Sequence, residues 1–124
     1  MNCDAFHALR PTSTGVGLIS AIQEAMIEAG VVPSDISAFN CHATSTPVGD
    51  ASEAQCITSI LAANQRHNIS SVEDFRRLSP EQISELNSLE KSDYLPLITA
   101  LKSNLGHCVT GAGALETAFG LLSL

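Results

Sequence analysis

The chain has 124 residues, a formal charge of −7 from 13 acidic and 6 basic side chains, and 44% apolar against 15% charged residues. That is enough chain for one domain core or for part of a larger one, and without a Lys/Arg cluster it offers no electrostatic footprint for a phosphate backbone or an anionic lipid surface. Nucleic acid and membrane are therefore excluded as partners. No apolar run reaches the roughly 18–20 residues of a bilayer span, and Met1-Asn2-Cys3-Asp4 opens no secretory or transit pattern, so the chain reads as soluble, with no targeting segment in it.

In chain order, Ile19, Ile22, Met26 and Ala29 recur at spacings of three and four, behind Thr12, Ser13 and Thr14 as caps and ahead of Gly30 and Pro33. This predicts an amphipathic helix over 15–29. Ile36 to Cys41 is a short apolar run suited to a buried strand. Asp50 with Glu53 three residues on resembles a capping box, opening a helix to about Ala63 with Ile57, Ile60 and Leu61 inward. Leu97 to Leu101 gives a second strand, and the Ala/Gly-rich stretch from Val109 to Leu122 a last helix. Strands separated by helices predict a parallel pair with a crossover, and hence a layered α/β arrangement.

Residues 64–95 are of another kind. They hold ten charges (Arg66, Glu73, Asp74, Arg76, Arg77, Glu81, Glu85, Glu90, Lys91 and Asp93), whereas the other 92 residues hold nine. Ser71 stands three before Asp74, and Ser79-Pro80-Glu81-Gln82 combines an N-cap, a proline at the first helical position and a reciprocal Gln. The segment is expected to be a surface insertion of short helices gripped by Val72, Phe75, Leu78, Ile83 and Leu86, not a second domain. A body with so few charges cannot present an ordinary surface all round; it is buried against something else or incomplete. Cys3, Cys41, Cys56 and Cys108 form no CxxC pair, so zinc spacing is missing and they read as reduced, mostly buried small hydrophobes, with no metal site.

Two stretches carry chemistry. In Asn40-Cys41-His42-Ala43-Thr44-Ser45-Thr46-Pro47 an apolar strand runs directly into a His and three hydroxyl residues, and Leu101-Lys102-Ser103-Asn104-Leu105-Gly106-His107 repeats that grammar. Polar loops at strand carboxyl ends are where α/β sheets place ligands, although a single strand-end His is commonly a hydrogen-bonded structural residue. Arg10 and Lys102 are the only basic side chains outside 64–95, and Glu116 is the only acid after Asp93, within an apolar helix where burial would demand a partner. A Lys102–Glu116 pair is predicted.

His42-Ala43-Thr44-Ser45-Thr46-Pro47 with Gly49-Asp50 and Glu53-Ala54, then Lys102 to His107, then Gly111-Ala112-Gly113-Ala114-Leu115-Glu116, resembles the C-terminal half of the β-ketoacyl-acyl carrier protein synthases of fatty acid synthesis. Asp4-Ala5-Phe6-His7 is similar to a stretch that precedes the first helix in that family. The resemblance covers 1–63 and 96–124. It implies a thiolase-like layered α/β fold, incomplete, with 1–124 a partial C-terminal domain and 64–95 a short helical insertion. It also implies a mechanism in which an acyl chain sits on a Cys, a malonyl thioester loses carbon dioxide, and the carbanion attacks to give a 3-oxoacyl product, a covalent division of one hard step into two. His42 and His107 match the family histidines that hydrogen-bond the enolate oxygen as neutral N–H donors. Lys102 and Glu116 match its supporting lysine and glutamate, and Thr44 and Thr46 match phosphopantetheine contacts. The implied partners are acyl carrier protein and, for the full-length enzyme, a second copy. No cofactor is implied beyond the carrier's phosphopantetheine.

Departures from the family pattern carry expectations of their own. No cysteine here sits in the family's nucleophile motif, and Cys41 and Cys108, next to the histidines, are expected to point away from the pocket. The chain is thus expected to be a fragment, inactive alone, with its final helix central and buried in the parent enzyme. Leu9 stands where many relatives have Thr, and Ala43 is similar to the mitochondrial relatives, implying a mitochondrial or cytoplasmic location. Two alternatives stand beside this reading: a polyketide synthase condensing domain, which usually has Gly-Thr after the first His in place of Ser-Thr-Pro, and a non-catalytic remnant or interaction module.

Overall fold

The computed structural model describes residues 14–89 and 95–122. The readings placed on Cys3, Asp4-Ala5-Phe6-His7, Leu9, Arg10, Thr12, Ser13, Glu90, Lys91 and Asp93 lie outside the described residues.

Helix α1 spans Val16–Ala29 and buries Ile19, Gln23 and Met26, while Ile22 is half-buried and Ala29, expected inward, is exposed. Its N-cap is Gly15 at φ +64°, with no side-chain cap, in place of the expected hydroxyl residues. The cause is a close approach: an added Cβ at Gly15 would collide with Cys56 Sγ of the next long helix, so only glycine fits. The other end closes as a Schellman motif, Gly30 donating to the Ile27 carbonyl at 3.2 Å and Val31 to that of Met26 at 3.0 Å.

Helix α2, Pro47–His67, begins after Thr46 with Pro47 in its first turn, three residues before the expected capping box, and it runs four residues beyond Ala63. Proline's missing N–H and fixed φ suit that first position. Asp50 lies in the first turn and Glu53 is turned to the preceding loop, so no capping box forms. Ile57, Ile60 and Leu61 are buried as expected.

Helices α3, Val72–Arg76, and α4, Pro80–Ser84, carry the caps read from sequence. Ser71 Oγ accepts from the Asp74 N–H, and Ser79 and Gln82 complete a reciprocal box. The segment is more than a solvated appendage, however. Phe75, Ile83 and Ile69 join Ile19, Met26, Val32, Cys56, Ile60 and Ala63 in one core cluster, and the Gln23 amide donates to the carbonyls of Phe75 and Leu78, each at 2.8 Å. Burying that amide is tolerable because both of its donors are satisfied.

Cys56, fully buried in this core, donates its thiol to the Gly15 carbonyl at 3.4 Å. Burial pushes it from 9.0 up to about 11. Between those values the native state holds a proton that the unfolded chain has released. This contribution to stability is therefore complete below about 9 and declines as pH rises towards about 11, by on the order of 2 kcal/mol. Urea unfolding across that window should show a steeper loss for the wild-type chain than for Cys56→Ala; equal slopes would contradict it.

Strands β1, Ala38–Asn40, and β2, Leu97–Thr99, pair in parallel, with Ala38 opposite Leu97 and Asn40 opposite Thr99. Each is shorter than its apolar run, the ladder being extended by bonds from Leu97 N to Ser37 O (2.9 Å) and from Cys41 N to Thr99 O (2.8 Å). After β2 the chain turns into helix α5, Lys102–Leu105, then a 3₁₀ turn at Val109–Gly111 and helix α6, Ala112–Leu122. Within this chain by itself α6 is mostly exposed. Only Ala112 is buried, and Leu115, Phe119, Leu121 and Leu122 are exposed, as are Leu97 and Ile98 on the sheet. Among the described residues no layer covers that apolar surface, and no helix is long and apolar enough to cross a membrane.

Candidate functional site

The two parallel strands end side by side, so the loops that follow them emerge at one edge. His42 stands two residues beyond β1. Its backbone N–H and that of Ala43 both donate to the Glu53 carboxylate, at 2.6 and 2.9 Å. Ala43 at φ +34° and Ser45 at φ +64° adopt left-handed backbone that non-glycine residues seldom take. Two charge-assisted bonds from one carboxylate fix this turn. The sequence offers Glu53 as a helix cap and as part of the family motif; its place nearly two turns into α2, eleven residues after His42, is the signal for this second role.

His107 follows α5 and Gly106, which takes φ +77°. The Val109 N–H donates to His107 Nδ1 at 3.2 Å, with Val109 itself at φ +48°. An Nδ1 that accepts carries no proton, so a ring bonded in this way has Nε2 as its N–H donor. The His42 and His107 rings meet edge to face, their centroids 5.5 Å apart and their planes at 90°.

Lys102 Nζ is bonded to Glu116 Oε1, the side chains being 5% and 17% exposed. Lys102 sits in the first turn of α5, not in an open loop, and Glu116 projects from α6. The structure thus pairs His42 with His107 and Lys102 with Glu116, and places Glu116 on a cavity that His42 also lines. Thr44 and Thr46, whose hydroxyls lie 3.4 Å apart, line a cavity of about 440 Å³ with His42, Gly49, Asp50, Ser52 and Glu53. A neighbouring cavity of about 290 Å³ takes in Asn40, Cys41, His42, Glu53 and Glu116. His107 and Lys102 line neither.

Cys41 is buried against Ile57 and Leu61. Burial first, then the Glu53 and Asp50 carboxylates, raises its thiol above 9.0, which disfavours the thiolate that nucleophilic attack requires. Of the described cysteines, Cys41 and Cys56 are buried and Cys108 is exposed. Two hydrogen-bonding imidazoles side by side, an ion pair and a hydroxyl-lined cavity beside one of them can hold a polarised carbonyl oxygen and stabilise charge developing on it.

Residues 1–75 match the family model "Beta-ketoacyl synthase, C-terminal domain". Among curated proteins the chain is 30% identical over all its 124 residues to the chloroplastic 3-oxoacyl-(acyl-carrier-protein) synthase I of Hordeum vulgare, covering 21% of that protein. It is likewise 30% identical over its full length to the mitochondrial 3-oxoacyl-(acyl-carrier-protein) synthase of Arabidopsis thaliana, again covering 21%. Against 3-oxoacyl-(acyl-carrier-protein) synthase 2 of Staphylococcus aureus it is 29% identical over 121 residues, 98% of this chain and 23% of that protein. The chain spans about a fifth of the length of these relatives. No solved structure matches it significantly. With the family model matching more than half of its residues, the chain belongs to the β-ketoacyl synthase C-terminal domain family.

Proposed function

We propose that this chain forms the histidine-bearing part of a thiolase-like synthase that condenses acyl and malonyl thioesters, carried on acyl carrier protein, into a 3-oxoacyl product of fatty acid synthesis. The observation that carries this reading is the pairing of the His42 and His107 rings at 5.5 Å, together with the Lys102–Glu116 ion pair, whose Glu116 lines one cavity with His42. As the bond between the malonyl C2 and its carboxylate breaks, carbon dioxide leaves and the electron pair passes into the thioester as an enolate. N–H groups of His42 and His107 hold that oxygen. His107 is suited to do so because its Nδ1 is occupied by the Val109 N–H. The enolate carbon then attacks an acyl thioester on a cysteine supplied by residues outside this chain, and the cysteine leaves as thiolate.

Thr44 and Thr46 hold the phosphopantetheine arm along the cavity beside His42, and the substrates need no cofactor beyond that arm. In this reading 1–124 is a partial C-terminal domain with 64–95 inserted, inactive alone. The parent enzyme is a homodimer in the mitochondrion or cytoplasm, and the apolar surface on α6 and the sheet meets its remaining layers. The fatty-acid assignment is preferred to a polyketide one because Ser45-Thr46-Pro47 follows His42-Ala43-Thr44 and the relatives quoted above are named 3-oxoacyl-acyl-carrier-protein synthases. The test is release of carbon dioxide from malonyl-acyl carrier protein by the full-length protein that contains this chain. Release is expected; its absence in a folded preparation would leave the non-catalytic alternative.

A further inference from the structure

Asn40 ends β1 two residues before His42, and its side chain bonds to two other elements. Its amide nitrogen donates to the Glu116 backbone carbonyl of α6 at 3.2 Å. Its amide oxygen accepts from the Thr99 hydroxyl, 3.4 Å away on the facing end of β2, and that hydroxyl also lies 3.4 Å from the Phe39 carbonyl. Thr99 is in turn three residues ahead of Lys102. Among the described residues little else ties α6 to the sheet: its side chains are mostly exposed, with Ala112 alone buried. Within this chain by itself, a helix with so little buried apolar area is located only weakly by packing. Its position at Glu116 depends on directional bonds, and the Asn40 amide and the Lys102 ammonium are the two that reach it there.

We propose that Asn40 is a positioning residue, its side-chain amide pinning the backbone of α6 at Glu116 to the ends of both strands so that the Glu116 carboxylate stays on Lys102. This rests on the proposed function for its catalytic meaning and on the hydrogen bonds alone for its structural content. Asparagine suits the task because one amide offers a donor and an acceptor on opposite sides. Aspartate, the same size, keeps the acceptor for Thr99 and loses the donor for the Glu116 carbonyl.

The ion pair itself gives the readout. The chain has two lysines, so in a Lys91→Arg background selective 15N labelling of lysine side chains reports Lys102 alone. A sheltered, carboxylate-bound ammonium should give a proton–nitrogen correlation with slow hydrogen exchange. Glu116→Gln should abolish it and calibrates the loss of the pair. Asn40→Asp and Asn40→Ala are each expected to speed the exchange about tenfold, the effect of removing about one net hydrogen bond, with the melting of the α1/α2 core, followed by circular dichroism, unchanged. An ammonium signal in Asn40→Asp that keeps the wild-type shift and exchange rate overturns the proposal. Should Asn40→Ala fail to fold, the isosteric Asn40→Asp decides. Failure of the condensing-enzyme reading would appear instead as absent decarboxylation by the full-length protein with this signal and its Asn40 dependence intact.

Discussion

Replacing His107 with alanine in the full-length protein is expected to slow malonyl decarboxylation about 10²–10³-fold, the usual cost of removing one preorganised donor from a developing oxyanion. The expectation follows from how this ring is held. Its Nδ1 is occupied by the Val109 N–H, which leaves Nε2 as the ring's donor for the developing oxyanion of the proposed reaction. The loss should fall on kcat with little change in KM, because the bond strengthens as the carbonyl becomes an enolate. Substituting His42 as well should cost less than the product of the two single effects, since both rings serve one oxygen. Steady-state release of carbon dioxide from malonyl-acyl carrier protein measures this. A rate that survives His107→Ala unchanged would remove the role assigned to the ring.

Lys102→Met should destabilise the 124-residue chain by about 3–5 kcal/mol, the cost of leaving one member of a sheltered ion pair without its counter-charge. The side chains are 5% and 17% exposed, so water replaces little of the lost attraction at Glu116. The double variant Lys102→Met, Glu116→Leu should recover most of the loss, because removing both charges also removes their desolvation penalty. Urea unfolding of the three variants against wild type gives the comparison as a double-mutant cycle. If the single variant unfolds at the wild-type midpoint, the pair contributes nothing to the fold, and its presence would have to be explained by function alone.

Much of the molecule was legible because its signals are local. The Ser71 and Ser79 caps formed as read, since a hydroxyl three residues ahead of a free N–H needs only a few residues of correct backbone. The parallel pairing of Ala38–Asn40 with Leu97–Thr99 followed from two short apolar runs separated by helix. Local signals also misled. Asp50 and Glu53 had the spacing of a capping box, but Pro47 started the helix earlier, and the Glu53 carboxylate found two backbone donors on a left-handed turn. Thr14 stood where a cap was expected, but the approach of Cys56 required Gly15 there.

The identity of the chemical groups was fixed by the sequence itself: two strand-end histidines, a lone lysine and a lone late glutamate in an otherwise charge-poor body can hardly be arranged without the opposite charges meeting. Their distances and orientations were decided only in three dimensions. The 5.5 Å approach of the rings, the Val109 N–H on Nδ1, the Glu53 carboxylate under the His42 turn and the Asn40 amide reaching α6 all join residues through backbone positions that no periodicity encodes. Hydrophobic patterning is non-directional and sorts residues into inside and outside, whereas hydrogen bonds are short and directional, so their partners are settled only once the strands and helices have taken their places.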